Sequence, residues 1–443
     1  MSETQAMLDE LAGLIAIPSM SADSAHAADV RQAAEWVADF IRRAGGKAKV
    51  VDWEGSPIVD GELQASSGAE SAPTVLAYGH FDVQPPDPLD EWESDPFSLE
   101  VRDGWLYGRG VADDKGQLYL LLKAAAGLAA EDALPVNVRF GCDGEEEVGG
   151  RAIIDYLAAD GREADACLIF DADMPERDVP AFYVATRGMV YMHVRIRTAE
   201  RDLHSGVYGG AALNAMHALM QALSGIQPRG GRLPDPLRAG VTSPTQEELD
   251  GWRSLAAGAD VLEDQGARPS DPAAADEFYV RTWAEPSIDV NGLAGGSPML
   301  QKTVIPALGE ANVSIRLAPG QDPDVIFSAA ERLIREAAPA GAGVEVERWA
   351  SSRSGLVDPG STAIRLAQDA FERALGRRPI LIRSGGSLPI VAAMGDRGIP
   401  TIITGFALPE SNVHSPNERL LLDYAPLGVA TAREVFVGFA ALR

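Results

Sequence analysis

The sequence predicts an α/β protein whose main domain is interrupted by a second, α+β domain. Three observations predict this organisation. Amphipathic helical stretches alternate with short apolar runs as far as about residue 180, paired strand-like segments follow from about Ala181, and the alternation returns with a predicted helix at residues 361–375. Short apolar runs bounded by turn residues are typical of strands covered on both faces, so we expect a largely buried sheet in the main domain.

The first part of the chain supplies the helices and strands of the main domain. Apolar residues recur at helical spacing from Met7 to Ile15, which predicts a helix over residues 5–16. Further helices are predicted over residues 29–43, 116–130 and 149–159. The predicted strands are KAKVVDW, TVLAYGHFDV, PVNVRFGCD and ADACLIFD.

The middle of the chain has a different pattern of predicted elements. The segments AFYVAT and MVYMHVRIRT predict paired strands, and a helix is predicted near residues 211–224. Residues 226–298 are rich in Pro, Gly and Asp and lack clean periodicity, so we treat them as an elaboration of the second domain. The strand ANVSIRL, a helix over 323–337 and the strand VEVERW complete that domain. A helix over 361–375, the strands PILIR and TIIT and a last helix from about residue 423 then resume the α/β pattern.

The charge balance excludes several classes of partner. Of the 443 residues, 65 are acidic and 38 are basic, which gives a formal net charge of −27. Such a surface repels phosphate backbones and anionic lipid headgroups, so we expect neither nucleic acid nor a membrane as a partner. The only two cysteines, Cys142 and Cys167, cannot form a disulfide framework, and the first residues carry acids where a signal peptide carries bases. We therefore expect a cytoplasmic protein.

One motif places a histidine at the end of a predicted strand, and a second places paired acids at the start of a predicted helix. His80 lies at the end of an apolar run, and Asp82, two residues later, can hydrogen-bond its second ring nitrogen. A strand-end histidine satisfied by a neighbouring acid is the plainer interpretation. Asp113 and Asp114 open a predicted helix in LYGRGVADDKG, where acids also serve as ordinary helix caps.

Three further positions make a metal site the better interpretation. The segment DGEEEVGG places Glu146 and Glu147 in a run of three glutamates, which repel one another unless they are solvated or given a cation. Asp171 directly follows the strand CLIF, and His414 follows the strand TIIT in NVHSPNE. Five separate sites that offer histidine or carboxylate predict two adjacent divalent cations with nitrogen and oxygen ligands. Neither cysteine falls within these motifs.

The order of the motifs carries a family resemblance. With GHFDVQP, LYGRGVADDKG, DGEEEVGG, Asp171 and VHSPNE in that order, the chain resembles a di-zinc metallopeptidase family. That family contains carboxypeptidase G, aminoacylase, acetylornithine deacetylase, succinyl-diaminopimelate desuccinylase and the carnosine-type dipeptidases. The resemblance covers nearly the whole chain. The segments DLHSGVYGG, TVIPA and GGSLP are most similar to the branch of carnosine and cytosolic nonspecific dipeptidases.

The resemblance implies a fold and a set of ligands. It implies a mixed-sheet α/β di-zinc exopeptidase catalytic domain at residues 1–187 and 357–443, with an inserted α+β lid and dimerisation domain at 188–356. It also implies two divalent ions per chain, with zinc expected and manganese or cobalt as alternatives. The implied ligands are His80 and Asp171 for one ion, Glu147 and His414 for the other, and Asp113 as the bridge between them.

The resemblance also implies catalytic roles. Asp82 would orient His80, and Glu146 would be the general base that takes a proton from a metal-bridging water and passes it to the leaving amine. The Asp113–Asp114 peptide bond would be cis.

Substrate-binding residues are implied on the same basis. His204 would reach the neighbouring subunit of a homodimer and stabilise the oxyanion, although it could equally be an ordinary loop histidine. Arg316 would pair with the terminal carboxylate of the substrate, the alternative being a surface charge at a strand end. Gly386 and Ser387 would also contact the substrate. Ser384 stands where this branch usually has glutamate, which leaves open what lies at the amino end of the substrate.

Together these residues predict a metallo-dipeptidase that cleaves dipeptides with a free C-terminal carboxylate. An N-acyl-amino-acid deacylase of the same family is the enzymatic alternative, because it differs only in what the acyl side carries. A catalytically silent, metal-stabilised scaffold is a hypothesis of another class. The presence of Glu146 argues against the scaffold, since a silent relative need not retain a base beside its ligands.

Overall fold

The chain divides into two units, each with a sheet of its own. The computed structural model describes residues 3–385 and 389–442. The first unit takes in the chain up to Val184, Val357–Ile382 and the chain from Pro389 onward.

The second unit takes in Ala185–Leu356 and a short segment that begins at Arg383. The boundaries expected from the sequence were after residues 187 and 356. The roles of the two units, as a catalytic domain and a lid or dimerisation domain, stay predictions.

The helices occur in both units. In chain order they are α1 (Glu3–Ile15), α2 (Ala27–Arg43), α3 (Lys115–Ala130), α4 (Ala152–Asp160), α5 (Ser205–Tyr208), α6 (Ala215–Leu223), α7 (Gln246–Trp252), α8 (Gly258–Asp264), α9 (Pro323–Ala337), α10 (Thr362–Leu375), α11 (Pro389–Asp396) and α12 (Tyr424–Gly438). Helix α2 shows why these segments are helical, since Val30, Val37 and Ile41 recur on one face and are buried. Within the described part of the chain, none of the helices has both the length and the apolarity needed to cross a bilayer.

The strands form one large sheet in each unit and several small ones. In chain order they are β1 (Lys47–Trp53), β2 (Ser56–Leu63), β3 (Thr74–His80), β4 (Glu100–Arg102), β5 (Trp105–Tyr107), β6 (Asn137–Asp143), β7 (Ala166–Phe170), β8 (Ala181–Thr186), β9 (Gly188–Arg197), β10 (Leu203–His204), β11 (Ser287–Ala294), β12 (Val304–Ile305), β13 (Leu308–Leu317), β14 (Gly343–Ser352), β15 (Ile380–Ser384), β16 (Thr401–Thr404) and β17 (Arg419–Leu421). The small sheets are β17-β5-β4, β15-β8 and β10-β12.

The large sheet of the first unit has six strands in the order β1-β2-β6-β3-β7-β16. Strand β2 pairs antiparallel with β1 and with β6, whereas the pairs β6–β3, β3–β7 and β7–β16 are parallel. The sheet is therefore mixed, and the predicted fold class is confirmed. Strands β3 and β7 are buried almost throughout, as continuous apolar runs in parallel strands predict.

The second unit is an antiparallel sheet with helices on one face. Its strands lie in the order β11-β13-β9-β14. Buried residues alternate with less buried ones along β9, and the buried set packs with residues of α6 and α9 in one apolar core. Because side chains alternate across a strand, Tyr191, His193 and Arg195 lie on the face opposite that core.

Two strands of the large sheets escaped the sequence analysis, as did the short strands β4, β5, β10, β12 and β17. Strand β2 contains Pro57, Asp60 and Gly61, which interrupt any apolar pattern, yet it is held between β1 and β6. Gly61 fits there because a Cβ at this position would lie 2.5 Å from Ile41 Cδ1 of α2. Strand β11 lies within the segment treated as an elaboration of the second domain. Its alternation of Ile288 and Val290 with polar residues is short, because the pairing register shifts before Gly292, and most of the strand is exposed.

The predicted strand TVLAYGHFDV ends earlier in the structure. Strand β3 stops at His80, which pairs with Asp143 at the end of β6. Phe81 N–H still donates to the carbonyl of Asp143, but Val83 N–H donates outside the sheet, to the carbonyl of Ser19. The chain therefore turns away from the sheet directly after His80.

Candidate metal centre

Three neighbouring strands bring acidic and histidine side chains to one edge of the large sheet. His80 is the last residue of β3 and lies opposite Asp143, the last residue of β6. Asp171 directly follows β7, which is the other neighbour of β3. In α/β sheets ligands bind outside the carboxyl ends of the parallel strands, so this edge is the candidate site.

Asp113 lies between two histidines. Its Oδ1 is 3.0 Å from His80 Nε2, and its Oδ2 is 2.9 Å from His414 Nε2. The residue belongs to the segment that leads into α3, and its peptide bond to Asp114 is cis, as the family resemblance implied. Because each oxygen faces a different imidazole ring, this one carboxylate can act as a ligand together with His80 on one side and with His414 on the other.

Further carboxylates complete the cluster. His80 Nε2 is 3.8 Å from Asp171 Oδ1 and 4.0 Å from Glu146 Oε2, and His414 Nε2 is 3.0 Å from Glu147 Oε2. The structure thus brings together the five predicted ligands and the predicted base. In two sets of three residues the potential ligand atoms all lie within 4.8 Å of one another, namely His80, Asp113 and Glu147, and His80, Asp114 and Asp171.

Asp82 is fully buried and contacts both the histidine and the glutamate run. Its Oδ1 lies 3.3 Å from His80 Nδ1, and its backbone oxygen lies 3.1 Å from the same nitrogen. The backbone N–H groups of Glu146 and Glu147 donate to the Asp82 carboxylate at 3.3 and 3.1 Å. Asp82 can therefore orient the ring, as expected, and it also anchors the loop that carries the glutamates.

Gln84 holds the Glu147 side chain and was missed by the sequence analysis. Its backbone N–H donates to Glu147 Oε1 at 3.1 Å, and its side-chain Nε2 donates to Oε2 at 2.9 Å. The same Nε2 also donates to the backbone oxygen of Glu147 at 3.1 Å. The motif GHFDVQP contains this residue, but only the fold shows which acid it contacts.

Asp114 was also missed as a potential ligand. Its Oδ2 accepts the backbone N–H of His80 at 3.0 Å, while its Oδ1 is buried and has no hydrogen-bond partner. Burial and the nearby charge of Asp171 raise the pKa of this carboxyl well above its usual value. Its place at the start of α3 made helix capping the simpler interpretation, yet its side chain makes no capping hydrogen bond.

Burial and crowded like charge dominate the electrostatics of the site. Burial raises the pKa of Glu146 to about 8 and that of Asp171 to about 6. Hydrogen bonds with Asp113 and then Glu147 raise the pKa of His414 to about 10. In the protein without metal ions, bound protons therefore offset the negative charge of this cluster of carboxylates.

The donor set fits two divalent cations. It combines imidazole nitrogens with carboxylate oxygens, has one carboxylate that faces both histidines, and leaves Asp114 Oδ1 without a partner. Nitrogen and oxygen ligands of this kind suit zinc, and they also suit manganese and cobalt.

Of the four predicted substrate-binding residues, the structure describes two, both in the second unit. His204 is exposed at the end of β10, and its Nδ1 accepts the N–H of Gly206 at 3.0 Å. Arg316 lies half-buried on β13, and the structure gives it no hydrogen bond or ion pair with a described residue. The predicted Gly386 and Ser387 lie outside the described residues.

Comparison with known proteins gives a consistent result. The model of Peptidase family M20/M25/M40 matches residues 76–437. The chain is 27% identical over 427 residues to the cysteinylglycine-S-conjugate dipeptidase of Corynebacterium striatum, covering 93% of this chain and 90% of the relative. It is 28% identical over 448 residues to the Cys-Gly metallodipeptidase dug1 of Schizosaccharomyces pombe, covering 93% and 91%.

A solved structure matches the whole fold. The M20 family metallo-carboxypeptidase Sso-CP2 from Sulfolobus solfataricus superposes with a TM-score of 0.82 at 24% sequence identity. The match covers 99% of this chain and 100% of that one.

Proposed function

The chain belongs to Peptidase family M20/M25/M40 and is a metallo-dipeptidase, and we propose that it hydrolyses dipeptides whose C-terminal carboxylate is free. The observation that carries this proposal is the position of Asp113, whose two oxygens face His80 and His414. That arrangement suits a dinuclear centre. The names of the curated relatives, both of which are dipeptidases, support the same substrate class.

The metal ligands that we propose share one property, since each presents a histidine nitrogen or a carboxylate oxygen to the cluster. They are His80 and Asp171 for one ion, Glu147 and His414 for the other, and Asp113 between the two. Zinc is the proposed metal, with manganese or cobalt as alternatives. When bound, two such ions would act as Lewis acids that polarise the peptide carbonyl and acidify water.

Glu146 is the proposed general base. Its Oε2 faces the ligand cluster, 4.0 Å from His80 Nε2, while Asp82 holds its backbone. The carboxylate would take a proton from the attacking water at Oε2 and return it to the leaving amine. Its pKa of about 8 in the protein without cations would fall when positive charge is placed beside it, which leaves it ionised at neutral pH.

His204 is the proposed donor to the oxyanion. The N–H of Gly206 donates to Nδ1, so the proton of the neutral ring lies on Nε2. Nε2 is then a donor available for an oxygen that develops negative charge. We propose that this donor acts in the neighbouring subunit of a homodimer. The cytoplasmic location expected from the sequence stays a prediction.

Arg316 is the proposed partner of the substrate carboxylate, with Gly386 and Ser387 as further substrate contacts. A guanidinium offers a planar pair of donors that matches a carboxylate. No described residue uses the donors of Arg316, so they are available for such a ligand.

A substrate panel tests the proposal. The purified protein would be assayed with mixed dipeptides and N-acyl amino acids in the presence of zinc, manganese or cobalt. We expect hydrolysis of dipeptides, loss of activity on chelation and recovery on adding metal back. Cleavage of N-acyl amino acids alone would identify the deacylase, which differs only in what the acyl side of the substrate carries. Cleavage of neither class by metal-loaded protein would contradict both.

A further inference from the structure

A second arginine lies beside Arg316 and has no counterion of its own. Arg187 comes directly before β9 and is only 6% exposed. Its Nη1 donates to the backbone oxygen of Thr282 at 2.8 Å, and its Nη2 donates to Ser287 Oγ at 2.5 Å. Its Nε is buried without a hydrogen-bond partner. Both acceptors of Arg187 are neutral, so its charge is not compensated by a contact with a described carboxylate.

Strand pairing places the two arginines side by side. Ser287 of β11 is the direct cross-strand neighbour of Arg316 of β13. Side chains of directly opposed residues in an antiparallel pair lie on one face, with Cβ atoms roughly 5 Å apart. Arg187 bonds to this same serine. Burial, together with the positive charge of Arg316, lowers the pKa of Arg187 to about 10, which agrees with the proximity of the two guanidinium groups.

The local charge is therefore unbalanced. Asp289, two residues beyond Ser287 on exposed β11, is an acid whose charge counteracts the lowering of the Arg187 pKa. No ion pair links Asp289 to either arginine among the described residues. A buried charge without a paired counterion is unfavourable, and Arg187 is buried with neutral acceptors only. An anionic ligand would relieve that imbalance.

We propose that Arg187 is a positioning residue for carboxylate binding at Arg316. The positive charge of Arg187 attracts the substrate carboxylate, and its hydrogen bond to Ser287 fixes the strand beside Arg316. Arg316 makes the direct contact with the carboxylate. The inference rests on the proposed function, because it takes Arg316 as the carboxylate partner. It goes further in assigning part of the affinity for the carboxylate to a residue that does not touch the substrate.

The test compares a substrate with and without the carboxylate. Arg187→Met should raise KM for glycylglycine about tenfold, the effect of losing ~1.4 kcal/mol of binding. It should leave KM for glycylglycinamide and both kcat values little changed, since the lost interaction is made equally in ground and transition states. Arg187→Lys keeps the charge but cannot hold both acceptors, so partial recovery is expected.

Two further variants distinguish a loss of carboxylate binding from a folding defect in Arg187→Met. Ser287→Ala removes only the hydroxyl between the two arginines and should raise KM for the acid over the amide in the same direction, by a smaller factor. Arg238→Met is the matched control, because Arg238 lies in the same unit and is paired with Glu285 at 2.9 and 3.0 Å. It should not change the ratio of the two KM values. Equal losses on acid and amide in Arg187→Met and Ser287→Ala would overturn the inference.

A binding measurement separates this inference from the proposed function. Calorimetric titration with butanoate and butanamide, which contain no peptide or N-acyl-amino-acid bond, needs no turnover. If the wild-type protein hydrolyses no dipeptide but binds the acid more tightly than the amide, and Arg187→Met removes that difference, the proposed function fails and the arginine pair stands. If the wild-type protein cleaves dipeptides and Arg187→Met discriminates acid from amide as well as the wild type does, only the inference fails.

Discussion

The carboxylate of Glu418 accepts the backbone N–H of Asp113 at 3.0 Å, although 305 positions separate the two residues in the chain. The same carboxylate accepts the N–H groups of Gly110 and Ala112 at 2.9 and 2.8 Å and pairs with buried Arg109 at 2.7 Å. One acid, four residues beyond His414, thus fixes the backbone of the residue that faces both histidines.

Glu418→Gln should destabilise the protein and weaken metal binding together. A glutamine amide nitrogen cannot accept these N–H groups, and Arg109 would be left buried without its counterion, at a cost of about 3–5 kcal/mol. The thermal midpoint of the metal-free protein and the metal content after dialysis would measure the two effects. Glu410→Gln is the control, because Glu410 pairs with Arg177 on the surface, where such pairs contribute about 1 kcal/mol or less. Equal effects of the two variants would contradict the anchoring role.

Neighbouring glutamates should give opposite phenotypes. Glu146→Gln should lower kcat by a factor of roughly 100 or more and retain metal, because positioned proton transfer contributes 10²–10⁴. Glu147→Gln should lose metal, since this carboxylate contacts His414 and is held by Gln84. Metal analysis and steady-state kinetics of each variant would decide.

Glu145→Gln is the matched control within the same run. Glu145 Oε1 accepts the N–H of Ala152 at 2.8 Å, and a glutamine oxygen can still do so. The control should therefore keep both metal and activity. If the phenotypes of Glu146→Gln and Glu147→Gln were exchanged, the assignment of base and ligand would be reversed.

Metal binding should release protons at neutral pH. In the metal-free protein His414 has a pKa of about 10, raised by Asp113 and Glu147, so its ring is protonated at pH 7. Its nitrogen must lose that proton to become a ligand. We expect at least one proton released per chain at pH 7, and an apparent affinity that rises with pH up to about 10. Zinc titration in a weakly buffered solution with a pH indicator measures the release.

The control for this titration is His217→Asn, which removes an exposed histidine of α6 and should leave the release unchanged. If metal binds at pH 7 without any release of protons, the protonated ring of His414 has not been converted into a ligand, which would contradict its assignment.

A mixed dimer tests whether His204 acts across a subunit boundary. The homodimers of His204→Ala and of Glu146→Ala should both be nearly inactive. In the heterodimer, the Glu146→Ala chain would lend its intact His204 to the intact metal centre of the other chain. One of two centres should then work, so roughly half of the wild-type turnover is expected.

Co-expression with two different tags and sequential affinity purification would isolate that heterodimer. The metal content of each preparation must be verified before the assay. No recovery of turnover in a metal-loaded heterodimer would place His204 in the site of its own subunit or outside catalysis.

The sequence alone predicted which chemical groups the candidate site contains. His80 ends strand β3, Asp171 directly follows β7, and the glutamate run begins two residues after β6, at the end of a sheet where ligands bind in α/β folds. Local periodicity likewise determined most helices and the buried strands, because apolar spacing reflects the faces that must leave water. Strands β2 and β11 gave too weak a signal, since β2 contains a proline and a glycine, whereas the alternation in β11 is short and the strand is mostly exposed.

The tertiary structure alone decided which groups meet. Asp113 contacts two histidines, and Gln84 donates a hydrogen bond to Glu147. Glu418, near the end of the chain, accepts the backbone N–H of Asp113. Arg187 bonds to Ser287, the cross-strand neighbour of Arg316, because β13 pairs with both β11 and β9. Contacts of this kind depend on strand order and register, which are set by the packing of the whole core and leave no trace in local spacing. The sequence therefore predicts which chemical groups are present, whereas only the fold shows which of them are in contact.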